Sequence, residues 1–182
     1  MERIIKPMDA RYLQASLELL EDVFTAWADP KEGRMVRRLA AEIRAEKYYL
    51  PELELIMVDE TDQIIGYAMF SRFHLEGKFE DELLLLTPVA VRTELQRQHI
   101  SRDLIEYGFE KAKELGFTAV LVEGDPQNYN PRGFQTSADF GITAGPDVHL
   151  PDVRCLMVKE LAAGALDHIK GIVDFSFYDS LQ

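Results

Sequence analysis

One cysteine, Cys155, stands in the whole sequence, and that scarcity excludes an internal disulfide and a multi-cysteine zinc site. Its apolar neighbours in "RCLMV" predict a buried strand thiol rather than a nucleophile. Basic residues are also few. Twenty Lys and Arg face 32 Asp and Glu, a formal net charge of -12. Sequence-independent nucleic-acid binding needs a basic surface, so nucleic acid is excluded as a partner. An acidic field is compatible with a cationic substrate, because it concentrates amines. No apolar run approaches the roughly 20 residues that cross a bilayer. The opening "MERIIKPMDARYLQ" is too polar for a signal peptide. These features predict a soluble, cytoplasmic protein with no membrane partner; homodimerisation stays open.

Hydrophobic residues make up 47% of the 182 positions, enough for a real core. "ERIIKPM" reads as a first strand stopped by Pro7, with Asp9 as a helix N-cap. Leu13, Leu17, Leu20, Phe24 and Trp27 recur at helical spacing and predict one core stripe. Met35, Val36, Leu39, Ala40 and Ile43 predict a second. "LELIMV" and "IIGYAMFSRFHL" flank the polar "DETDQ", the pattern of a hairpin. "ELLLLTPVAV" suits a central strand, with Pro88 suggesting a bulge. An amphipathic helix follows from Ile100 to Leu115 and stops at Gly116. "TAVLVEG", a loop with one helical turn in "DPQNYNPRGF", and the strand "RCLMVKEL" complete the reading. The tail "GALDHIKGIVDFSFYDSL" has no period. With no repeat or linker, residues 1–182 are expected to form one α/β (α+β) domain with a central mixed twisted sheet flanked by helices. A short C-terminal extension begins at about 163.

Glycine is missing where it would be most telling. "QRQHIS" lies between the "PVAV" strand and a helix, where free N–H groups and the positive helix end make a natural anion cradle. Arg97 adds a cation, while Gln96, Gln98 and Ser101 add hydrogen-bonding groups. From these residues alone, a phosphate turn and an ordinary strand-to-helix loop both stay open.

The order strand, "QRQHIS", helix, strand, "GDPQNYNPRGF" resembles the GNAT superfamily of N-acetyltransferases, in particular its small bacterial acetyltransferases. Gly124, Asp125, Pro126, Tyr129, Gly133 and Phe134 match that subgroup's pattern of G-D-P, a tyrosine and G-F. The resemblance covers roughly residues 50 to 175, and the N-terminal helices more loosely. It implies acetyl-CoA as acetyl donor and a turn of form Q/R-x-x-G-x-G/A that holds the pyrophosphate. Here Gln96 matches the leading position, Arg97, Gln98 and Ile100 fill variable places, and Ser101 replaces the small second residue. His99 replaces the first glycine, setting a Cβ and a ring where bare backbone would meet phosphate. A glycine put back at 99 is expected to carry a stability cost of up to about 1 kcal/mol.

The resemblance further implies that Val89, Ala90 and Val91 of the first strand line the cofactor, with an N–H near Val89 polarising the thioester carbonyl. Arg102 joins the turn, Asn128 faces the pantetheine arm, and Tyr129 protonates the departing thiolate. No metal is expected. The general base is not readable: Glu80, Asp81 and Glu82 fit a solvated acidic turn, and His74 a polar hairpin residue. The implied activity is acetyl-CoA-dependent N-acetylation of a primary amine on a small molecule or peptide. Alternatives are a degenerate GNAT-fold regulatory module that binds CoA or a metabolite without turnover, and an interaction protein that keeps only the fold.

Overall fold

The computed structural model describes residues 2–181. In chain order it contains β1 (Ile4–Pro7), α1 (Leu13–Trp27), α2 (Pro30–Ala45), β2 (Glu54–Val58), β3 (Ile64–Arg72) and β4 (Leu83–Val91). There follow α3 (Ile100–Glu114), β5 (Ala119–Glu123), α4 (Pro126–Tyr129), β6 (Gln135–Thr136), β7 (Ile142–Ala144), β8 (Leu156–Glu160) and β9 (Gly171–Val173). Seven strands form one mixed sheet in the order β1-β2-β3-β4-β5-β8-β6, and β7 pairs with β9 separately. The expected α/β fold is therefore present, with β4 and β5 parallel across α3. Among the described residues, no helix is long and apolar enough to cross a membrane.

The chain divides into two compact units. One takes the chain to Ser71 and again Thr87–Gly108; the other takes Arg72–Leu86 and the chain from Phe109 onward.

In the first unit, Asp9 accepts from Arg11 N at 2.9 Å and caps a 3-10 turn that leads into α1. Asp29 caps α2 through Glu32 N at 2.8 Å, with Pro30 in the first turn, where a missing N–H costs nothing. Val36, Leu39, Ala40 and Ile43 are buried on α2 as the periodicity predicts, while Met35, at the edge of that stripe, is half-buried. For α1 the expected stripe is wrong. Its buried residues are Ser16, Leu19, Leu20 and Val23, while Leu13 is 45% and Trp27 74% exposed. Two stripes at helical spacing share Leu20, and tertiary contacts choose between them. Ser16 Oγ donates to Leu13 O at 2.7 Å and accepts from Arg44 Nη2 at 2.9 Å, which turns the serine face inward.

β2 is buried along its whole length, and only Arg72 of β3 is partly open; their hairpin closes with Asp59 Oδ1 accepting from Thr61 N and Gln63 N. Within β2 lies a carboxylate, Glu54, with no exposed surface. Arg44 Nε and Nη2 reach its Oε2 at 2.7 and 2.6 Å, Tyr67 donates to the same oxygen at 2.5 Å, and Tyr49 donates to Oε1 at 2.6 Å. Burial and then the Glu54 charge push the Tyr67 hydroxyl well up; burial and the Glu54 bond do the same for Tyr49. Where the sequence suggested a bulge, the Thr87–Pro88 peptide bond is cis.

In the second unit, β5 pairs with β8 over five antiparallel positions from Ala119↔Glu160 to Glu123↔Leu156. Leu83, Leu85, Leu121, Leu156 and Val158 build its core with Phe73. The tail that lacks a period still enters this core through Ala165, Leu166, Ile169, Val173 and Phe175. It does so in 3-10 turns and a three-residue strand, which are too short to leave a periodic signature. Cys155 departs from expectation. It is half-buried in a 3-10 turn ahead of β8, because Asp152 caps that turn through Arg154 N at 2.8 Å and delays the strand to Leu156.

Candidate active site

β4 changes character where the chain passes from the second unit, at Leu86, into the first, at Thr87. Leu83 to Leu86 are buried, after which burial alternates: Ala90 is buried, while Thr87, Val89 and Val91 are half-exposed on the other side. The strand ends where Arg92 N donates to Ile65 O at 3.0 Å. A 3-10 turn, Thr93–Leu95, then leads into the glycine-free segment, whose start is tied back by Gln96 Nε2 to Val91 O at 3.3 Å.

The backbone there behaves as if glycine were present. Arg97 has φ +63° and His99 φ +66°, with Gln98 between them. An L-residue in this left-handed region costs roughly 1–2 kcal/mol, and such conformations persist only where the surroundings impose them. Among the described residues, the N–H groups of Arg97 through Arg102 donate to no backbone carbonyl; the first helical bond is Asp103 N to His99 O, 3.0 Å. A run of free N–H groups at a helix start, next to left-handed residues, forms an anion-binding concavity.

The side chains divide by exposure. Gln96, Arg97, Gln98 and His99 are exposed, and Ser101 and Arg102 are half-buried in the first turn of α3. Arg97 makes no ion pair among the described residues, so its charge is available to an anion. Arg102 is committed to Asp103 at 3.0 Å. Ile100 is 1% exposed, so it offers a ligand only its N–H. A Cβ on Gly66 of β3 would come within 2.6 Å of the Ile100 side chain, so that glycine lets α3 begin close against the strand. Arg3, which the sequence did not single out, donates from Nη2 to Gln98 Oε1 at 2.6 Å and from Nη1 to Gln98 O at 3.4 Å. No sequence pattern links position 3 to position 98.

In the second unit, β5 ends at Glu123 and the "GDPQNYNPRGF" segment begins. Asp125 accepts from Gln127 N at 2.9 Å, and Pro126 opens the single turn α4. Gly124 is required by close approach, because a Cβ there would lie 2.6 Å from the Tyr129 ring. That ring also meets Phe134 edge-on, with centroids 5.7 Å apart. Burial pushes the half-buried Tyr129 phenol up to about 12, so it is protonated at neutral pH. Its hydroxyl makes no hydrogen bond among the described residues, and neither does the exposed Asn128 side chain.

Of the remaining polar candidates, Glu80 is half-buried, and Asp81, Glu82 and His74 have local partners within the second unit. Asp81 pairs with Arg72 at 2.7 Å, and Glu82 meets His168 at 2.6 Å. His74 Nδ1 accepts from Gly77 N at 3.0 Å, and its ring stacks on Phe177 at 4.5 Å.

The first unit thus offers free amides at the opening of α3, and the second a protonated tyrosine on the segment after β5. Residues 16–136 match the model of the acetyltransferase (GNAT) family, and the chain belongs to that family. It is 28% identical over 181 residues to the uncharacterized N-acetyltransferase YhbS of Escherichia coli (strain K12), covering 95% of this chain and 94% of YhbS. It is also 28% identical over 127 residues to the uncharacterized N-acetyltransferase YjhQ of the same organism, covering 69% of this chain and 70% of YjhQ. Among solved structures, the fold is similar to that of E. coli YhbS in complex with CoA. The TM-score is 0.83 at 24% identity, over 94% of this chain and 88% of that one. A GNAT-family acetyltransferase from Brucella melitensis, in complex with acetyl-CoA, gives 0.64 at 23% identity, over 86% and 95%.

Proposed function

We propose that this chain is an acetyl-CoA-dependent N-acetyltransferase that acts on a primary amine of a small molecule or peptide, with residues 1–182 serving as one catalytic domain. The observation that carries the reading is the turn from Gln96 to Arg102. Its free amides and left-handed backbone fit a pyrophosphate although no glycine stands in it. When bound, acetyl-CoA supplies a thioester whose acetyl group passes to an amine nitrogen while CoA leaves as the thiol. The amides of residues 97 to 102, with Arg97, hold the pyrophosphate. Val89 directs its N–H at the carbonyl oxygen, and Ala90 and Val91 line the strand beside it. Asn128 bonds the pantetheine arm. Tyr129 gives its proton to the leaving sulfur, and the proton released from the attacking nitrogen restores it through water. Positioning both reactants removes much of the entropic barrier.

Acetyl-CoA is expected to raise the melting temperature, because a ligand of the folded state stabilises it by mass action. At a hundredfold excess over Kd the gain is about 2.7 kcal/mol. CoA should match it and adenosine fall short, since the turn reads the pyrophosphate. Absence of any shift with millimolar acetyl-CoA would remove the assignment.

A second reading, a module that binds CoA or a metabolite without turnover, draws on His99 in place of glycine. The geometry changes what His99→Gly should do. A glycine at φ +66° relieves left-handed strain of roughly 1–2 kcal/mol against an entropic cost of about 0.5–1 kcal/mol. The variant should therefore be more stable by about 0.5–1 kcal/mol, where the sequence alone pointed to a loss. It should also bind acetyl-CoA more tightly, since the Cβ and ring are gone. Urea denaturation and calorimetric titration check both, and a destabilised variant would show that His99 makes contacts worth more than the strain. Release of free thiol from acetyl-CoA with an accepted amine separates turnover from binding alone.

A further inference from the structure

Two left-handed residues in a glycine-free turn need something to hold them, and the position between them is gripped from outside. Arg3 donates to Gln98 at two points, 2.6 Å to the side-chain oxygen and 3.4 Å to the main-chain carbonyl. Its own backbone is fixed by the next residue, since Ile4 is in register with Val58 at the start of the β1–β2 ladder. The Arg3 side chain is half-buried, its Nε enclosed without a hydrogen-bond partner, while its two bonds to Gln98 lie at the surface. Elsewhere among the described residues the segment is held by Gln96 to Val91, by Asp103 to His99, and by the burial of Ile100 where α3 begins. Without the arginine, Gln98 has no side-chain tie among the described residues, and Arg97 and His99 are free to return to ordinary φ.

We propose that Arg3 is a positioning residue for the phosphate turn: it holds Gln98 so that Arg97 and His99 keep the left-handed form that aims the amides at a pyrophosphate. This rests on the reading of the turn as the acetyl-CoA pyrophosphate site. A charged planar fork is suited to the task, because it engages two oxygens at fixed geometry where an ammonium would engage one. A glycine takes the left-handed backbone without steric cost; here a distant side chain holds it.

Calorimetric titration with acetyl-CoA, which needs no acceptor amine, tests the proposal on wild type, Arg3→Ala, Arg3→Lys, Gln98→Ala and the double variant Arg3→Ala/Gln98→Ala. Arg3→Ala should weaken binding roughly tenfold or more, the range set by a lost charge-assisted bond. Arg3→Lys should recover only part of that. The double variant should bind about as Arg3→Ala does, because both changes break the same grip. Circular dichroism of each variant confirms that it is folded. Equal affinity in wild type and Arg3→Ala overturns the proposal. So does strict additivity in the double variant, which would mean that Arg3 acts on the ligand and not through Gln98. Absence of binding by wild type sinks the reading of the turn itself, and this proposal with it.

Discussion

Replacing Tyr129 with Phe is expected to slow acetyl transfer by about 10²–10⁴-fold while leaving acetyl-CoA affinity near wild type. The aromatic ring does the structural work at this position. It fills the space that Gly124 leaves by having no Cβ and meets Phe134 edge-on. The hydroxyl has no hydrogen-bond partner among the described residues, so removing it breaks no native bond. Fold and ligand affinity should survive, and the loss should appear in kcat and kcat/KM together, the mark of an interaction made only in the transition state. A phenol held near pKa 12 is fully protonated at neutral pH and offers its hydrogen to a developing thiolate. An outright transfer to sulfur would be uphill, so the proton leaving the nitrogen must be returned in the same event. An unchanged turnover with an accepted amine would show that the thiolate leaves without this donor. A loss of acetyl-CoA affinity with kcat intact would make Tyr129 a binding residue instead.

The parts of this molecule legible in its sequence are those governed by local rules. The hairpin of β2 and β3, the amphipathic α3 and the single turn after β5 follow from periodicity and capping residues close in the chain. The α1 face was not legible. Two stripes at helical spacing overlap there, and the choice depends on Ser16 meeting Arg44, 28 positions away. The placing of Cys155 fails for a smaller reason: a turn capped by Asp152 takes Arg154 and Cys155 from the start of the strand. At the turn, sequence supplied the position and the free amides but not the conformation. A histidine at φ +66° is improbable from propensity alone, and the contact that accompanies it comes from Arg3, 95 positions earlier. Composition also hid Glu54, counted among 32 acidic residues on a chain read as having an acidic surface.

That buried carboxylate carries the largest expected effect on stability. Glu54→Ala should lower unfolding free energy by about 3–5 kcal/mol, a large share of the roughly 5–15 kcal/mol that holds a domain of this kind together. The side chain is fully enclosed, and Arg44, its ion-pair partner, keeps only 12% of its side chain exposed. Burial alone would lower the Arg44 pKa, but the Glu54 bond and the nearby Tyr67 outweigh it, and the guanidinium stays charged. Removing the carboxylate thus strands a largely enclosed cation that keeps only its bond to Ser16, and leaves two tyrosine hydroxyls without their acceptor. The cost comes from what remains behind more than from the strength of the pair. For that reason the double variant Glu54→Leu/Arg44→Met should lose much less than the two single changes summed, since it takes the charge away with its partner. Glu54→Gln should fall between, keeping an acceptor for the tyrosines but no counter-charge. Urea denaturation of wild type, Glu54→Leu, Arg44→Met and the double variant measures the coupling directly. A loss under about 1 kcal/mol in Glu54→Ala would mean that water enters and solvates Arg44. Additive losses would mean that the two side chains stabilise the unit separately, and that the network is not the unit of stability its geometry describes.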